Sequence, residues 1–492
     1  MTTFRQLLQE FETAATSLSN KGSIFEQFCQ SFFKTDRFFA ELYDEVWLWQ
    51  EWPGRDGETD SGVDLVARNR ADGSLVAIQC KFYEPTAKIG QQHLAKFLNV
   101  LGRNDFVSGL FVSTTSKQWS PKAEEQCRKF GKPVTPFGVP QFEESSVDWS
   151  QFRIEKPWEL KLEASKEPRP YQNNAIDDVI GGFENENRGQ LIMACGTGKT
   201  YTSLCLAERL VGAGGNVLFL VPSINLLSQS VKAWAADATL PLRPFAVCSD
   251  SKAGRRNSSE DASPNDLVFP ASTDTEALAE AFAASTSDKA MNVVFSTYQS
   301  IDVVCDCQKQ GIPEFDLIIA DEAHRTTGVT LKDAEDSIFT RVHYDKYVKG
   351  KKRLYMTATP RVFADRTKVK AQDHQAFLAT MDDNAIYGPE FHRLPFGDAV
   401  AAKLLTDYKV LVLAVDEGEV SELFQTQLAD DGIELKLDDA AKIIGCWHAL
   451  SKRGPQFGDD KIPMKRAVSF TSTIKESENF TKAFPKLVDE AL

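Results

Sequence analysis

The chain has 492 residues, 42% of them hydrophobic and 26% charged, and 56 Lys and Arg against 70 Asp and Glu leave a formal charge of −14. That length accommodates about three domains, the composition excludes collagen-like and low-complexity architectures, and no run approaches the ~18 apolar residues of a membrane span. The negative balance argues against a nucleic-acid coat protein but not against a DNA enzyme, because local basic surface rather than net charge holds a phosphate backbone.

The opening MTTFRQLLQEFETAA carries acidic residues on an amphipathic helical pattern, unlike a signal or transit peptide. Cysteines at 29, 80, 127, 195, 205, 248, 305, 307 and 446 form no CxxC pair and no zinc ladder. The expectation is a soluble cytoplasmic protein with reduced thiols. From about residue 20 to 140, helix-like and strand-like patterns alternate, with strands at Val63–Arg68, Leu75–Lys81 and Gly109–Ser113 and a hairpin turn at Ala71-Asp72-Gly73. Lys132–Pro168 lacks periodicity and holds several prolines; it reads as a linker, with 151–168 separating a first domain, 1–150, from a second that begins at Arg169. From Arg169 on, apolar strands at Gln190–Ala194, Asn216–Val221, Asn292–Thr297, Phe315–Asp321 and Arg353–Thr357 alternate with helices, the rhythm of an α/β fold with a doubly wound parallel sheet over 169–395. Ser249–Pro270 reads as an exposed insertion. Strand-like runs at Tyr408–Val415 and Arg466–Thr471 mark a further partial domain, 396–492.

Two constellations carry chemistry. Cys195-Gly196-Thr197-Gly198-Lys199-Thr200 follows the apolar strand Leu191–Ala194 and precedes the helix Tyr201–Val211. Glycines there let backbone N–H groups face phosphate, the helix N-terminus adds positive potential, Lys199 reaches the β- and γ-phosphates, and the Thr200 hydroxyl meets magnesium. Met193 stands where the eight-residue P-loop pattern opens on glycine, but the strand–loop–helix context holds. About 120 residues on, Asp321-Glu322-Ala323-His324 ends an apolar strand. Adjacent carboxylates can divide the work of a magnesium–triphosphate site, Asp321 on the metal and Glu322 on the attacking water.

The second constellation is Gly62-Val63-Asp64-Leu65-Val66-Ala67, a turn, then Ala77-Ile78-Gln79-Cys80-Lys81. On paired strands, Gln79 and Lys81 share a face, and one sheet edge can present a carboxylate, an amide oxygen and an ammonium. Phosphodiester hydrolysis needs a metal and a positioned water. Asp64 is the candidate magnesium ligand, Gln79 and the Cys80 carbonyl complete the shell, and Lys81 steers or deprotonates the water. Glu26, on the preceding amphipathic helix, reaches the same edge or is solvated helix charge. Asp60 is turn chemistry or a second metal contact, Gln92 is a surface residue or part of the site, and Trp47, Trp49 and Trp52 stack bases or fill the core.

The Asp321 and Lys199 motifs resemble those of superfamily 2 helicases and translocases. Further segments resemble that family's elements in order. Arg169-Pro170-Tyr171-Gln172 resembles its adenine-reading element, with Gln172 on the base edge. Phe219–Gln229 (FLVPSINLLSQ) and Phe295–Ser300 (FSTYQS) resemble its strand-holding segments, which implies DNA contacts at Ser223, Gln229 and Thr297. Thr357-Ala358-Thr359-Pro360 resembles the coupling element, and Ala467–Ser477 a DNA-contacting motif of a second lobe, which implies Thr471. The segment TDSGVDLVARNRADGSLVAIQCKFY resembles the Mrr-like branch of the PD-(D/E)xK nucleases, in which glutamine replaces an acidic residue.

An Mrr-like nuclease ahead of a DEAH motor resembles the single-polypeptide, type ISP, restriction–modification enzymes. The likeness runs on through Cys248–Lys252, His324–Gly328 and Tyr387–His392. It implies a restriction-endonuclease-like α/β domain, a RecA-like motor lobe and a truncated second lobe, with ATP and Mg2+ as cofactors and double-stranded DNA as partner. The resemblance also implies methyltransferase and target-recognition domains downstream; no FxGxG-like or NPPY-like motif occurs in these residues. An arginine-bearing QxxGRxxR-like motif is also missing, and such arginines supply on the order of 10³–10⁵ in rate; the expectation is a chain that binds ATP but hydrolyses it slowly. Other readings are a repair helicase–nuclease and a non-catalytic DNA-binding remnant.

Overall fold

The computed structural model describes residues 4–14, 18–55, 57, 62–70, 72–115, 119–153, 155–248, 273–285, 288–330, 336–373, 376–408, 445–452, 463–471 and 473–491. Two large sheets organise them. In the first, β1 (Tyr43–Leu48), β2 (Leu65–Asn69), β3 (Leu75–Lys81), β4 (Phe106–Ser113) and β5 (Val134–Phe137) stand in sequential order. β1–β2 and β2–β3 pair antiparallel, and β3–β4 and β4–β5 pair parallel across the helices Gln91–Leu101 and Pro121–Lys129. Alternation along each strand sorts the two faces. Leu65, Ala67, Ile78 and Cys80 join the Phe25, Phe28 and Phe32 stripe of the helix Leu18–Thr35, while Val66, Ala77 and Phe111 join Leu94, Phe97 and Leu101 on the other side.

The second sheet is parallel throughout. It holds β6 (Arg188–Met193), β7 (Asn216–Val221), β8 (Leu242–Val247), β9 (Met291–Thr297), β10 (Phe315–Ala320), β12 (Gly350–Thr357) and β14 (Glu390–Leu394) in the order β14-β6-β12-β10-β7-β9-β8. β11 (Gly328–Thr330) and β13 (Phe377–Ala379) form a separate antiparallel pair. The inner strands are apolar along their length because helices cover both faces. β12 lies between β6 and β10, with Thr357 in register with Ile192 and Tyr355 with Ala320, so three strand ends meet side by side. The chain leaves β6 toward β7 and returns to β14 on the other flank, which opens a crevice at the strands' carboxyl ends.

Lys132–Pro168 is more than a linker. It supplies β5 and the helix Val139–Glu143, it buries Phe142, Trp149 and Phe152, and Val147 bridges to Leu162. The apolar positions in it are real core positions that prolines obscured. Arg37 binds the two sheets' surroundings together, donating to Ala236 O at 2.7 Å and to Glu163 O and Ser165 Oγ at 3.0 Å, and Glu41 pairs with Arg243 of β8. Residues from Thr406 onward belong to a second compact unit, where Ile474–Ala491 is helical. Arg466–Thr471 is not the expected strand; Val468 and Phe470 are 80% and 92% exposed. Asp60, Ala71, Ser249–Pro270 and nearly all of Tyr408–Val415 lie outside the described residues. Among the described residues no helix is long and apolar enough to cross a membrane.

Candidate active sites

At the first sheet's edge, the Asp64 amide donates to Ile78 O at 2.9 Å although Ile78 is already the register partner of Leu65. The extra residue is a bulge, which re-aims the Asp64 side chain and explains why β2 starts two residues later than expected. Asp64 Oδ2 accepts from Cys80 N at 2.7 Å and from Lys81 Nζ at 3.2 Å. Glu26 lies within reach of both charges. Burial first, then the Asp64 charge, pushes its carboxyl up to about 7 against the pull of Lys81. Gln79 stands two residues before Lys81 on the face covered by Gln91–Leu101; it is 3% exposed and its Oε1 has no hydrogen-bond partner. Cys80 turns its thiol into the core beside Cys29, leaving its main chain to the site.

A buried acceptor without a donor two residues before Lys81, and a Glu26 carboxyl whose proton affinity burial and Asp64 raise, are features a cation relieves. Hard oxygen donors suit magnesium. No cluster of three or more His, Cys, Asp or Glu residues forms among the described residues, so Asp64, Glu26, the Gln79 amide oxygen and a main-chain carbonyl would share the shell. Trp49 and Trp52 are buried in the core, Trp47 lies beneath the Arg68 guanidinium, and Gln92 is exposed at a helix start.

In the crevice of the second sheet, Gly196 and Gly198 adopt φ of +83° and +82°, the left-handed region that favours glycine. Thr197 Oγ1 donates to Ala194 O at 2.7 Å and Lys199 Nζ to Met193 O at 3.3 Å, closing the loop over its own strand. The helix Lys199–Leu210 starts there with its first-turn N–H groups open, Thr200 among them, and Cys195 is exposed. Gln172, expected on the base edge, has both ends of its amide engaged by the protein. Its Oε1 accepts from Arg169 N at 2.9 Å, and its Nε2 donates to Thr197 O at 3.2 Å, where the Tyr171 hydroxyl also donates at 2.9 Å. One end of the amide caps its own helix and the other braces the loop, and a Cβ at position 198 would stand 2.6 Å from Nε2. The Arg169 side chain is exposed.

Asp321, at the end of β10, is 7% exposed; burial and then Glu322 push its carboxyl up to about 6, with Lys199 opposing. Glu322 holds φ of +50°, a strained value for a residue with a Cβ. His324 Nδ1 lies 3.0 Å from Thr357 Oγ1 and 3.4 Å from Glu322 Oε2, and burial pushes its pKa down. Thr357 Oγ1 also accepts from Thr359 N at 3.1 Å. The two turns are therefore joined across neighbouring strands.

The expected DNA contacts fare unequally. Ser223 caps the helix Ile224–Asp237 through Leu226 N, and Gln229 is exposed on it. Thr297 is not an open contact: it is buried, with its hydroxyl 3.1 Å from Ser300 Oγ. Thr471 is exposed in the second unit, donating to Thr473 O. Sequence reasoning missed Tyr171, Trp234, whose Nε1 donates to Thr200 O at 3.1 Å, and Tyr298, whose hydroxyl donates to Asp321 O at 2.7 Å. Tyr171, beside Gln172, and Tyr298, inside the segment Phe295–Ser300, carried a signal; Trp234 carried none.

A family model described as a restriction endonuclease matches residues 34–159, and one described as the res subunit of type III restriction enzymes matches 165–362. The type I restriction enzyme EcoAI endonuclease subunit of Escherichia coli is 25% identical over 343 residues, covering 66% of this chain and 35% of its own length. A probable helicase of African swine fever virus is 31% identical over 195 residues, covering 40% of this chain and 20% of its own. Among solved structures, the ATP-dependent Type ISP restriction–modification enzyme LlaBIII bound to DNA matches 100% of this chain and 31% of that one, at 39% identity and a TM-score of 0.82. The chain thus spans a fifth to about a third of the proteins it matches. Two such models stand in tandem, and a likeness to a Type ISP restriction–modification enzyme runs the whole length of this chain, which carries a restriction-endonuclease-like domain followed by a helicase-like one.

Proposed function

We propose that the chain forms the cutting and motor portion of an ATP-dependent restriction endonuclease, a translocase on double-stranded DNA coupled to magnesium-dependent phosphodiester cleavage. The observation that carries this reading is the Asp64–Lys81 contact at the bulged strand end, with the raised Glu26 carboxyl coupled to it and the unpartnered Gln79 Oε1 two residues before Lys81 on the same strand. Asp64, Gln79 and Glu26 hold magnesium, with the Cys80 carbonyl completing the shell. When bound, the cation supplies charge stabilisation for the phosphorane-like transition state. Lys81, released from Asp64, orients the attacking water as an ammonium or, as the neutral amine after losing a proton to solvent, accepts the water's proton.

In the motor crevice, the backbone of 195–199 receives the ATP phosphates, Lys199 neutralises the outer ones, Thr200 and Asp321 hold the nucleotide's magnesium, and Glu322 polarises water. Neutral His324 ties Glu322 to Thr357, so a change at the nucleotide reaches the neighbouring turn. Ser223 and Gln229, and separately Thr471 in the second unit, are the proposed DNA contacts. Supercoiled plasmid nicking tests the first centre: Asp64→Ala and Lys81→Ala are each expected to lower magnesium-dependent nicking by roughly 10²-fold or more while DNA binding persists. Unchanged nicking in both would overturn the nuclease reading. Lys199→Ala is expected to abolish binding of a fluorescent ATP analogue without unfolding the chain, since its ammonium holds only one main-chain carbonyl.

A further inference from the structure

Tyr298 is fully buried at the end of β9 and sends its hydroxyl to Asp321 O at 2.7 Å. The other end of the same peptide unit, Glu322 N–H, donates to Asp321 Oδ1 at 2.9 Å. A peptide is planar, so holding its carbonyl and its N–H together fixes the plane. That plane sets the direction of the Asp321 carboxylate and the φ of +50° at Glu322. One hydroxyl thereby orients two adjacent carboxylates with different tasks.

The tyrosine comes from outside the immediate neighbourhood of that turn. In the strand order β10-β7-β9, β7 separates its strand from the strand of Asp321. Its own segment is tied to the intervening strand end, because Gln299 Nε2 donates to Pro222 O at 3.1 Å and Pro222 directly precedes the capping residue Ser223. The Thr297 and Ser300 hydroxyls pair around it at 3.1 Å. The buried Gln299 Oε1 has no hydrogen-bond partner. A displacement of the 297–300 segment is therefore delivered to the Asp321–Glu322 peptide through the Tyr298 hydroxyl, while the Asp321 amide is held separately by Leu220 O of β7 at 2.9 Å.

We propose that Tyr298 is a positioning residue that makes DNA binding at Ser223 and Gln229 and magnesium-nucleotide binding in the crevice depend on each other. The proposal rests on the reading of the crevice as a nucleotide site. Its test is the affinity of the full chain for a fluorescent non-hydrolysable ATP analogue with magnesium, measured with and without a short DNA duplex. Wild type is expected to show a ratio of about fivefold or more, with DNA affinity shifted reciprocally by nucleotide. Tyr298→Phe keeps the ring; it is expected to fold with a slightly lowered unfolding temperature, to bind nucleotide alone more weakly than wild type but measurably, and to bring the ratio close to one. Gln299→Ala, which leaves the tyrosine in place, is expected to lower the ratio partway and decides the matter if the phenylalanine variant folds poorly. A wild-type ratio in both variants overturns the proposal. Wild-type nucleotide binding that ignores DNA overturns it while leaving the nucleotide site standing, whereas no nucleotide binding at all removes both.

Discussion

Glu26 is the most direct probe of the cutting centre, because its raised carboxyl is a stability statement as well as a chemical one. Burial and the Asp64 charge lift it from 4.5 to about 7. Between those values the folded protein keeps a proton that the unfolded chain has released, so stability falls as pH rises through the window, and the full penalty is in force above pH 7. For a fully enclosed group such a lift corresponds to ~3 kcal/mol; Glu26 is half-buried, and solvent screening reduces this to ~1–2 kcal/mol. Glu26→Gln removes the charge at nearly constant shape. It is expected to stabilise the first domain by that amount at pH 8 and to change little at pH 4, where the carboxyl is protonated in both states. The assay is urea unfolding followed by tryptophan fluorescence, which Trp49, Trp52 and Trp149 report from the domain's core. Magnesium supplies the missing counter-charge, so at pH 8 it should raise the unfolding midpoint of wild type more than that of the glutamine variant. A gain equal at pH 4 and pH 8, or a magnesium response unchanged by the substitution, would refute the reasoning.

The parts of this architecture that could be read in advance are those whose signal is local. β3 and β7 match their expected spans because each is an apolar run bounded by turn residues. The Asp64–Lys81 encounter follows from two-residue alternation on paired strands, and only the bulge that aims Asp64 needed coordinates. β5 was hidden by its proline: Pro136 signals a loop, yet β5 is an edge strand, where a missing donor is tolerated. Gln172 and Tyr298 show a different limit. Both act by donating to main-chain carbonyls of loops 25 and 23 residues away, and a carbonyl has no residue type, so the bond leaves no spacing to find. Arg466–Thr471 failed for the opposite reason, since β-branched and aromatic residues predict a strand only where a neighbouring strand accepts them.

Two further predictions separate chemistry from packing. Asp321 must lose its proton to hold magnesium, and its carboxyl is pushed up to about 6, so affinity for magnesium-nucleotide is expected to fall steeply below that pH; Asp321→Asn should lower affinity and flatten the profile, and an unaltered profile in the variant would exclude this carboxylate as the titrating group. The last concerns two adjacent glycines in the helix Pro170–Asn185 and asks whether β14 is seated as the structure has it. A Cβ on Gly181 meets nothing within 4 Å, whereas one on Gly182 would lie 2.2 Å from the Phe391 ring of β14, and one on Gly189 of β6 would lie 1.9 Å from the same ring. Gly181→Ala is therefore expected to stabilise by ~0.5–1 kcal/mol through helix propensity alone. Gly182→Ala gains the same propensity but must displace a ring wedged against Phe183 and two backbones, and should destabilise by ~1–3 kcal/mol. Phe391→Ala costs stability by itself, yet combined with Gly182→Ala it should cost less than the sum, because the added methyl then enters the space the ring has left. Equal and favourable effects at 181 and 182 would show that β14 does not pack on this helix, and the edge of the sheet beside the phosphate loop would have to be redrawn.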